Sequence, residues 1–268
     1  SIRNIALIAH VDHGKTTMVD KLLLSSGTVE QKADTPTRIM DSNDLERERG
    51  ITILAKNASL VWKDTLINIV DTPGHADFGG EVERILSMVD SVLLIVDAVE
   101  GTMPQTRFVT QKAFEKGLKP IVVINKIDRP GADPEAAIEK VFDLFDALGA
   151  SDEQLDFTVI YASALMGFAS LDPAHPTDNM HALLDLIVNE VPEPACEEGP
   201  FQMQISALDY SDYLGVMGIG RVVRGQLEAN SAVTVIDRDS HQRSAKVYKI
   251  LGYKGLERET IQTARAGD

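Results

Sequence analysis

Ala9-His10-Val11-Asp12-His13-Gly14-Lys15-Thr16-Thr17 stands between an apolar run, Ile5 to Ile8, and a stretch, Thr17 to Leu24, whose apolar residues recur at three- and four-residue steps. A strand, a short Gly-Lys-Thr loop and a helix in that order make a phosphate-binding loop. Backbone N–H groups and the positive end of the helix face an anion, and the Lys15 ammonium neutralises β- and γ-phosphate oxygens. The Thr16 hydroxyl can ligate Mg²⁺. Asp12, His13, Gly14, Lys15, Thr16 and Thr17 are the expected contacts of this loop. At equal residue frequencies the pattern would arise by chance in roughly one chain in 150 of this length, so further motifs are needed to fix the ligand. Loops of this kind usually begin with glycine; here the position is Ala9, so glycine's backbone freedom is not required there.

Outward from this loop the chain alternates. Leu66 to Val70, Val92 to Val96, Ile121 to Ile124 and Thr158 to Tyr161 are short apolar runs that suit strands buried on both faces of a parallel sheet. Gly80 to Met88, Gln105 to Glu115, Pro134 to Leu148 and Met180 to Asn189 show helical spacing, with Pro134 suited to a first turn. The pattern predicts an α/β domain with a mostly parallel sheet flanked by helices, whose ligands sit at the carboxyl ends of the strands.

Two of those strand ends carry chemistry. Asp71-Thr72-Pro73-Gly74-His75 closes one of them. Asp71 can hold Mg²⁺ through water, and the Gly74 N–H can meet a γ-phosphate oxygen and swing when that oxygen leaves. Asn125-Lys126-Ile127-Asp128 closes another. The Asp128 carboxylate can accept from the N1–H and 2-amino groups of guanine, which adenine does not offer together. Asn125 would brace the loop and Lys126 would cover base and ribose. Ser163, Ala164 and Leu165 would complete the pocket with backbone N–H groups. Found third in order, the Asn-Lys-x-Asp pattern favours GTP over ATP. The charge-dense region from Arg38 to Ile53 reads as a solvated loop, with Thr52 as the hydroxyl that could close onto Mg²⁺ and the γ-phosphate.

The 268 residues, 44% hydrophobic and 25% charged, exclude general disorder and suggest a primary domain with a smaller second one. No apolar run reaches the 18 or so residues of a membrane span. One cysteine, Cys196, can form neither an intrachain disulfide nor a multi-cysteine zinc site. With no leader pattern at Ser1, the default expectation is a cytoplasmic protein. The net charge is −15, but residues 201–268 carry 9 Lys and Arg against 8 Asp and Glu, so the acid belongs to the first part. The net charge argues against coating nucleic acid, DNA included, by bulk electrostatics. The proline- and glutamate-rich stretch from Val191 to Pro200 reads as a connector, giving domains at 1–195 and 200–268. Beyond it, Phe201 to Leu208, Gly218 to Val223, Ala232 to Ile236 and Ala245 to Leu251 predict a small all-β barrel domain.

Assembled, these residues resemble the translational GTPases, the family of elongation factors Tu and G, and most closely its BipA/TypA ribosome-associated factors. Ala9 to Thr17, Met40 to Leu54, Asp71 to Arg84, Pro104 to Val109, Asn125 to Gly131 and Phe201 to Asp212 carry the resemblance, which covers almost the whole chain. It implies that His75 orients the hydrolytic water, that Val11 and Ile51 form the apolar gate beside it, and that Asp12 helps hold a monovalent cation near the phosphates. It implies Mg²⁺ as cofactor, bound by Thr16, Thr52 and Asp71, with GTP as substrate and GDP as product. Its partner would be the ribosome, both rRNA and ribosomal proteins, met by a monomer through further C-terminal domains. The β-barrel would accordingly be incomplete at Ala266-Gly267-Asp268. Two functions fit: a GTP-hydrolysing switch in translation, ribosome assembly or stress adaptation, or a ribosome-binding module that holds nucleotide and barely hydrolyses it.

Overall fold

The computed structural model describes residues 1–30, 56–72 and 79–268. Seven strands form one sheet: β1 (Ile2–Ala9), β2 (Lys56–Trp62), β3 (Thr65–Asp71), β4 (Ser91–Asp97), β5 (Pro120–Asn125), β6 (Thr158–Ser163) and β7 (Phe168–Ser170). Their spatial order is β2-β3-β1-β4-β5-β6-β7. The five inner strands run parallel, while β2 and β7 pair antiparallel at the two edges. The apolar runs give this arrangement because a strand covered on both faces has no polar side to offer.

Alternate residues divide between two cores. Ile5, Leu7, Ile67, Ile69, Leu93, Ile95, Ile121 and Val123 face α1 (Lys15–Ser25) and α6 (His181–Glu190), packing on Met18, Leu22, Leu23, Leu183 and Ile187. Ala6, Ile8, Leu94, Val96, Val122 and Ile124 face the other way. There they meet α2 (Gly79–Leu86), α3 (Pro104–Glu115) and α4 (Pro134–Ala147) through Val82, Ile85, Ala113, Val141 and Phe145. Short α5 (Asp152–Leu155) begins with a Ser151–Gln154 capping box.

The sheet order decides where a ligand can sit. From β1 the chain continues to β3 on one side and later to β4 on the other, so the strand order reverses at β1. The loop from Ala9 to Gly14 emerges at that reversal, where neighbouring loops diverge and leave a crevice.

After α6, residues 191–201 contain no helix or strand beyond an isolated bridge between Glu197 and Arg224. The remainder is all β, in antiparallel pairs: β8 (Gln202–Ser211) with β9 (Gly215–Arg224), β10 (Gln226–Glu228) with β15 (Thr263–Arg265), β11 (Ser231–Ile236) with β12 (Gln242–Val247), and β13 (Ile250–Lys254) with β14 (Glu257–Ile261). The run from Ala245 to Leu251, expected as one strand, is two. β12 ends its pairing with β11 at Val247, and β13 starts a new pairing with β14 at Ile250. Alternation along the chain cannot register that change of partner. Gly220 is required where β8 bulges between Ile205 and Ala207, because a Cβ there would lie 1.8 Å from the Gln204 carbonyl oxygen.

Candidate nucleotide-binding site

β1, β3, β4, β5 and β6 end at Ala9, Asp71, Asp97, Asn125 and Ser163. Parallel strands present their carboxyl ends on one edge of the sheet, so five short segments scattered between residues 9 and 163 converge there.

The phosphate loop is shaped by Asp12 at φ 64° and Gly14 at φ 95°, both left-handed. Gly14 caps α1 without a side-chain acceptor, which leaves the first N–H groups of the helix facing the loop. Glycine is needed here twice over: a Cβ at Gly14 would come within 2.4 Å of Asn125 Nδ2. Lys15 turns inward and its ammonium lies 3.0 Å from Asp71 Oδ1, both groups buried. Thr16 and Thr17 occupy the first turn of α1, half-buried. Thr72, next to Asp71, donates its hydroxyl to the Leu7 carbonyl and locks the end of β3 to β1.

The base side is tied to the phosphate side by one amide. Asn125 Nδ2 donates to the His13 carbonyl at 2.8 Å, and Asn125 Oδ1 accepts from the Ala164 N–H at 2.9 Å. Lys126, also left-handed at φ 63°, donates to the Asp12 carbonyl and pairs with Asp97 at 2.8 Å. Ile127 N–H donates to Ala162, which fixes the loop so that Asp128 is exposed. Ser163 is buried and its hydroxyl accepts from the Met166 N–H; Leu165 is exposed. Burial opposes the charge on Asp97, but the Lys126 ammonium and the N–H groups of Val99 and Glu100 outweigh it and hold the carboxyl below the usual carboxylate range.

Of the expected site residues, Val11 is half-buried within the loop and Asp12 is exposed. Gly74, His75, Ile51 and Thr52 lie outside the described residues. His13, expected as a loop contact, directs its N–H to the His10 carbonyl at 3.1 Å and buries its ring against Asp97 and Glu100. Asp97 and Glu100 were not singled out from the sequence. The signal was present in Val-Asp-Ala-Val-Glu-Gly, a third strand end carrying carboxylates. His181 packs on Trp62 with ring centroids 4.6 Å apart.

A loop with an inward lysine at the reversal of a parallel sheet, braced by an asparagine from a second strand end, defines the phosphate-loop nucleotide-binding class. Within it, residues 1–193 match the model of the elongation factor Tu GTP-binding domain, and the chain belongs to that family. It is similar to the large ribosomal subunit assembly factor BipA of Escherichia coli strain K12, at 63% identity over 268 residues. The same-named factor of Haemophilus influenzae is 62% identical over 269. Each alignment takes in the whole chain but 44% of the relative's length. Among solved structures, the fold resembles a bacterial selenocysteine-specific elongation factor (TM-score 0.72, 22% identity, 99% of this chain and 40% of that one). It also resembles the elongation factor SelB of Methanococcus maripaludis in complex with a GTP analogue (TM-score 0.71, 24% identity, 99% and 50%).

Proposed function

We propose that the protein binds GTP with Mg²⁺, hydrolyses it to GDP and phosphate, and uses the two nucleotide states as a switch during assembly of the large ribosomal subunit. The observation that carries the reading is the Asn125 amide, bonded at one end to the phosphate loop and at the other to the Ala164 loop. Asp128 follows it on an exposed turn, free to meet a base edge. The assembly step is taken from the BipA relatives, whose name carries it.

In this reading Lys15 moves from Asp71 to the phosphate oxygens, which replace one buried ion pair by another. Hydroxyl and carboxylate oxygens are the donors Mg²⁺ takes: the Thr16 hydroxyl and the enclosed Asp71 carboxylate, with Thr52, would hold the ion, which would supply positive charge to offset that of the β- and γ-phosphates. His75 orients the water whose oxygen attacks the γ-phosphorus, Val11 and Ile51 exclude other water, and the bond to the β–γ bridging oxygen breaks as GDP leaves. A monovalent cation beside Asp12 belongs to the same proposal. Residues 1–195 form the nucleotide unit and 200–268 a second unit. The protein acts as a cytoplasmic monomer on rRNA and ribosomal proteins.

Binding of GTP, ITP and ATP tests the base assignment. GTP should bind at least about a hundredfold more tightly than ATP, and Asp128→Ala should abolish most of that preference, about 3 kcal/mol for two hydrogen bonds to a carboxylate. Equal affinity for ATP in the wild type defeats the assignment. Turnover should be slow alone and rise steeply with ribosomes, as it does about 10⁵-fold for a small GTPase meeting its activator. His75→Ala should remove that rise; an unchanged rate would leave a nucleotide-holding module.

A further inference from the structure

The ring of His13 has a role that the nucleotide reading leaves unassigned. It is enclosed, with 1% of its surface exposed, yet both ring nitrogens are engaged. The Asp97 N–H donates to Nδ1 at 3.3 Å, and Nε2 lies 2.9 Å from Glu100 Oε2. An Nδ1 that accepts carries no proton, so the single ring proton sits on Nε2 and points at the Glu100 carboxylate. Glu100 is itself anchored: its N–H donates to Asp97 Oδ1 at 3.3 Å and its carbonyl accepts from Lys140 Nζ at 3.3 Å.

Asp97 is the hub of this arrangement. Through Oδ2 it pairs with Lys126 of the base side, and through its N–H it bonds His13 of the phosphate side. Among the described residues, two further ties run from the base side to the loop, Asn125 to the His13 carbonyl and Lys126 to the Asp12 carbonyl, and both use main-chain oxygens that any residue supplies. The ring tie alone depends on which side chain stands at 13. The same three groups, His13, Asp97 and Glu100, lie close enough together to suggest a metal site. The chemistry is against it: the Nδ1 lone pair is taken by an N–H and the Asp97 carboxylate by an ammonium.

We propose that His13 is a positioning residue for nucleotide binding. Its neutral ring is a crossbar, fixed between the Asp97 N–H and the Glu100 carboxylate, that holds the phosphate loop at the separation from the base loop that a guanosine diphosphate spans. The inference rests on the nucleotide reading above and extends it to the His13 ring, which faces Asp97 and Glu100.

Release of a fluorescent GDP analogue from the purified protein is the test, followed by stopped flow beside thermal unfolding. His13→Leu, which fills the volume without the tie, and Glu100→Ala should each speed release about tenfold or more, the loss expected for a hydrogen bond to a charged group. The double variant should release no faster than His13→Leu alone, because both changes break one tie. His13→Gln, whose amide N–H reaches the Nε2 position, should return release to within about threefold of wild type. Additive effects in the double variant, or wild-type release in both single variants, overturn the proposal. If His13→Leu does not fold, the half-exposed Glu100→Ala and the Gln variant carry the same decision. A wild type that holds no guanine nucleotide defeats the nucleotide reading itself, whereas one that holds GDP with unchanged variants defeats the crossbar alone.

Discussion

At the scale of the residue, Asn125 and Gly14 form one contact that neither can vary. Asn125→Ala removes a donor from the His13 carbonyl and an acceptor from the Ala164 N–H, both buried. Two orphaned main-chain groups should cost about 3 kcal/mol, read as a lowered urea midpoint with unchanged slope. Gly14→Ala should weaken nucleotide binding more than it lowers stability, since its Cβ would push directly on Asn125 Nδ2. His13 supplies the pH dependence. Burial lowers its pKa from the ordinary 6.5, and the neighbouring His10 charge works the same way, against the raising effects of the Glu100 hydrogen bond and carboxylate and of Asp97. As pH falls the unfolded chain therefore takes up this proton before the native one does. The stability due to the neutral ring is complete above pH 6.5 and is lost as pH drops toward and through the lower native value. Denaturation measured from about pH 7 down to about 5 should show a steeper loss for wild type than for His13→Gln, which has no proton to gain there. Parallel curves would refute the neutral ring. The motif residues were legible in the sequence, but the His13 ring tie was not, because nothing local indicates that residue 100 returns to residue 13.

Elements divide by how much of their environment is local. β1, β3, β4, β5 and β6 were readable as unbroken apolar runs, because strands covered on both faces need no polar alternation. The edge strands β2 and β7 were not read from the sequence. Asn57, Ser59, Lys63 and Asp64 dilute the apolar signal of β2 and its hairpin, and β7 has three residues. The start of α4 was legible from Pro134 at its first turn. Asp133 accepts from the Ala136 N–H at 3.1 Å ahead of Pro134 at the first turn of α4. Asp133→Ala should cost about 1 kcal/mol in thermal or urea unfolding. In α1, Leu22 is enclosed between the helix and the sheet, and Leu22→Ala should cost about 3 kcal/mol for the cavity it leaves. A loss under about 1 kcal/mol would mean that this face of the sheet is not the close-packed core described.

Across the whole molecule, the two parts meet through Leu256, which packs on the α/β core, and through polar groups. Arg221 of β9 holds Asp90 at 2.9 Å, Asn4 donates to the Gly267 carbonyl at 3.0 Å, and Ser59 of β2 exchanges two main-chain hydrogen bonds with Gly255. The α/β part has two apolar cores, whereas the apolar residues buried in 201–268 are Val222, Leu227 and Ala264. Leu208, Tyr210, Tyr213 and Val216 on the β8–β9 hairpin are exposed. Amide exchange of the 268-residue chain should therefore be slowest in β1, β4 and β5 and fastest in β8, β9 and β11 to β14. Uniform protection would contradict this division. By itself the sequence determined the alternation of strand and helix, the phosphate loop, the guanine-type motif and the all-β character of the second part. Each of these is written in residue type and spacing over fewer than about twenty neighbours. The tertiary structure alone decided the strand order that brings Asp71, Asp97, Asn125 and Ser163 to one edge, the splitting of Ala245 to Leu251 between two partners, and the enclosure of His13. Those depend on which distant segments pair and pack, and pairing between strands far apart in sequence leaves no mark on either strand alone.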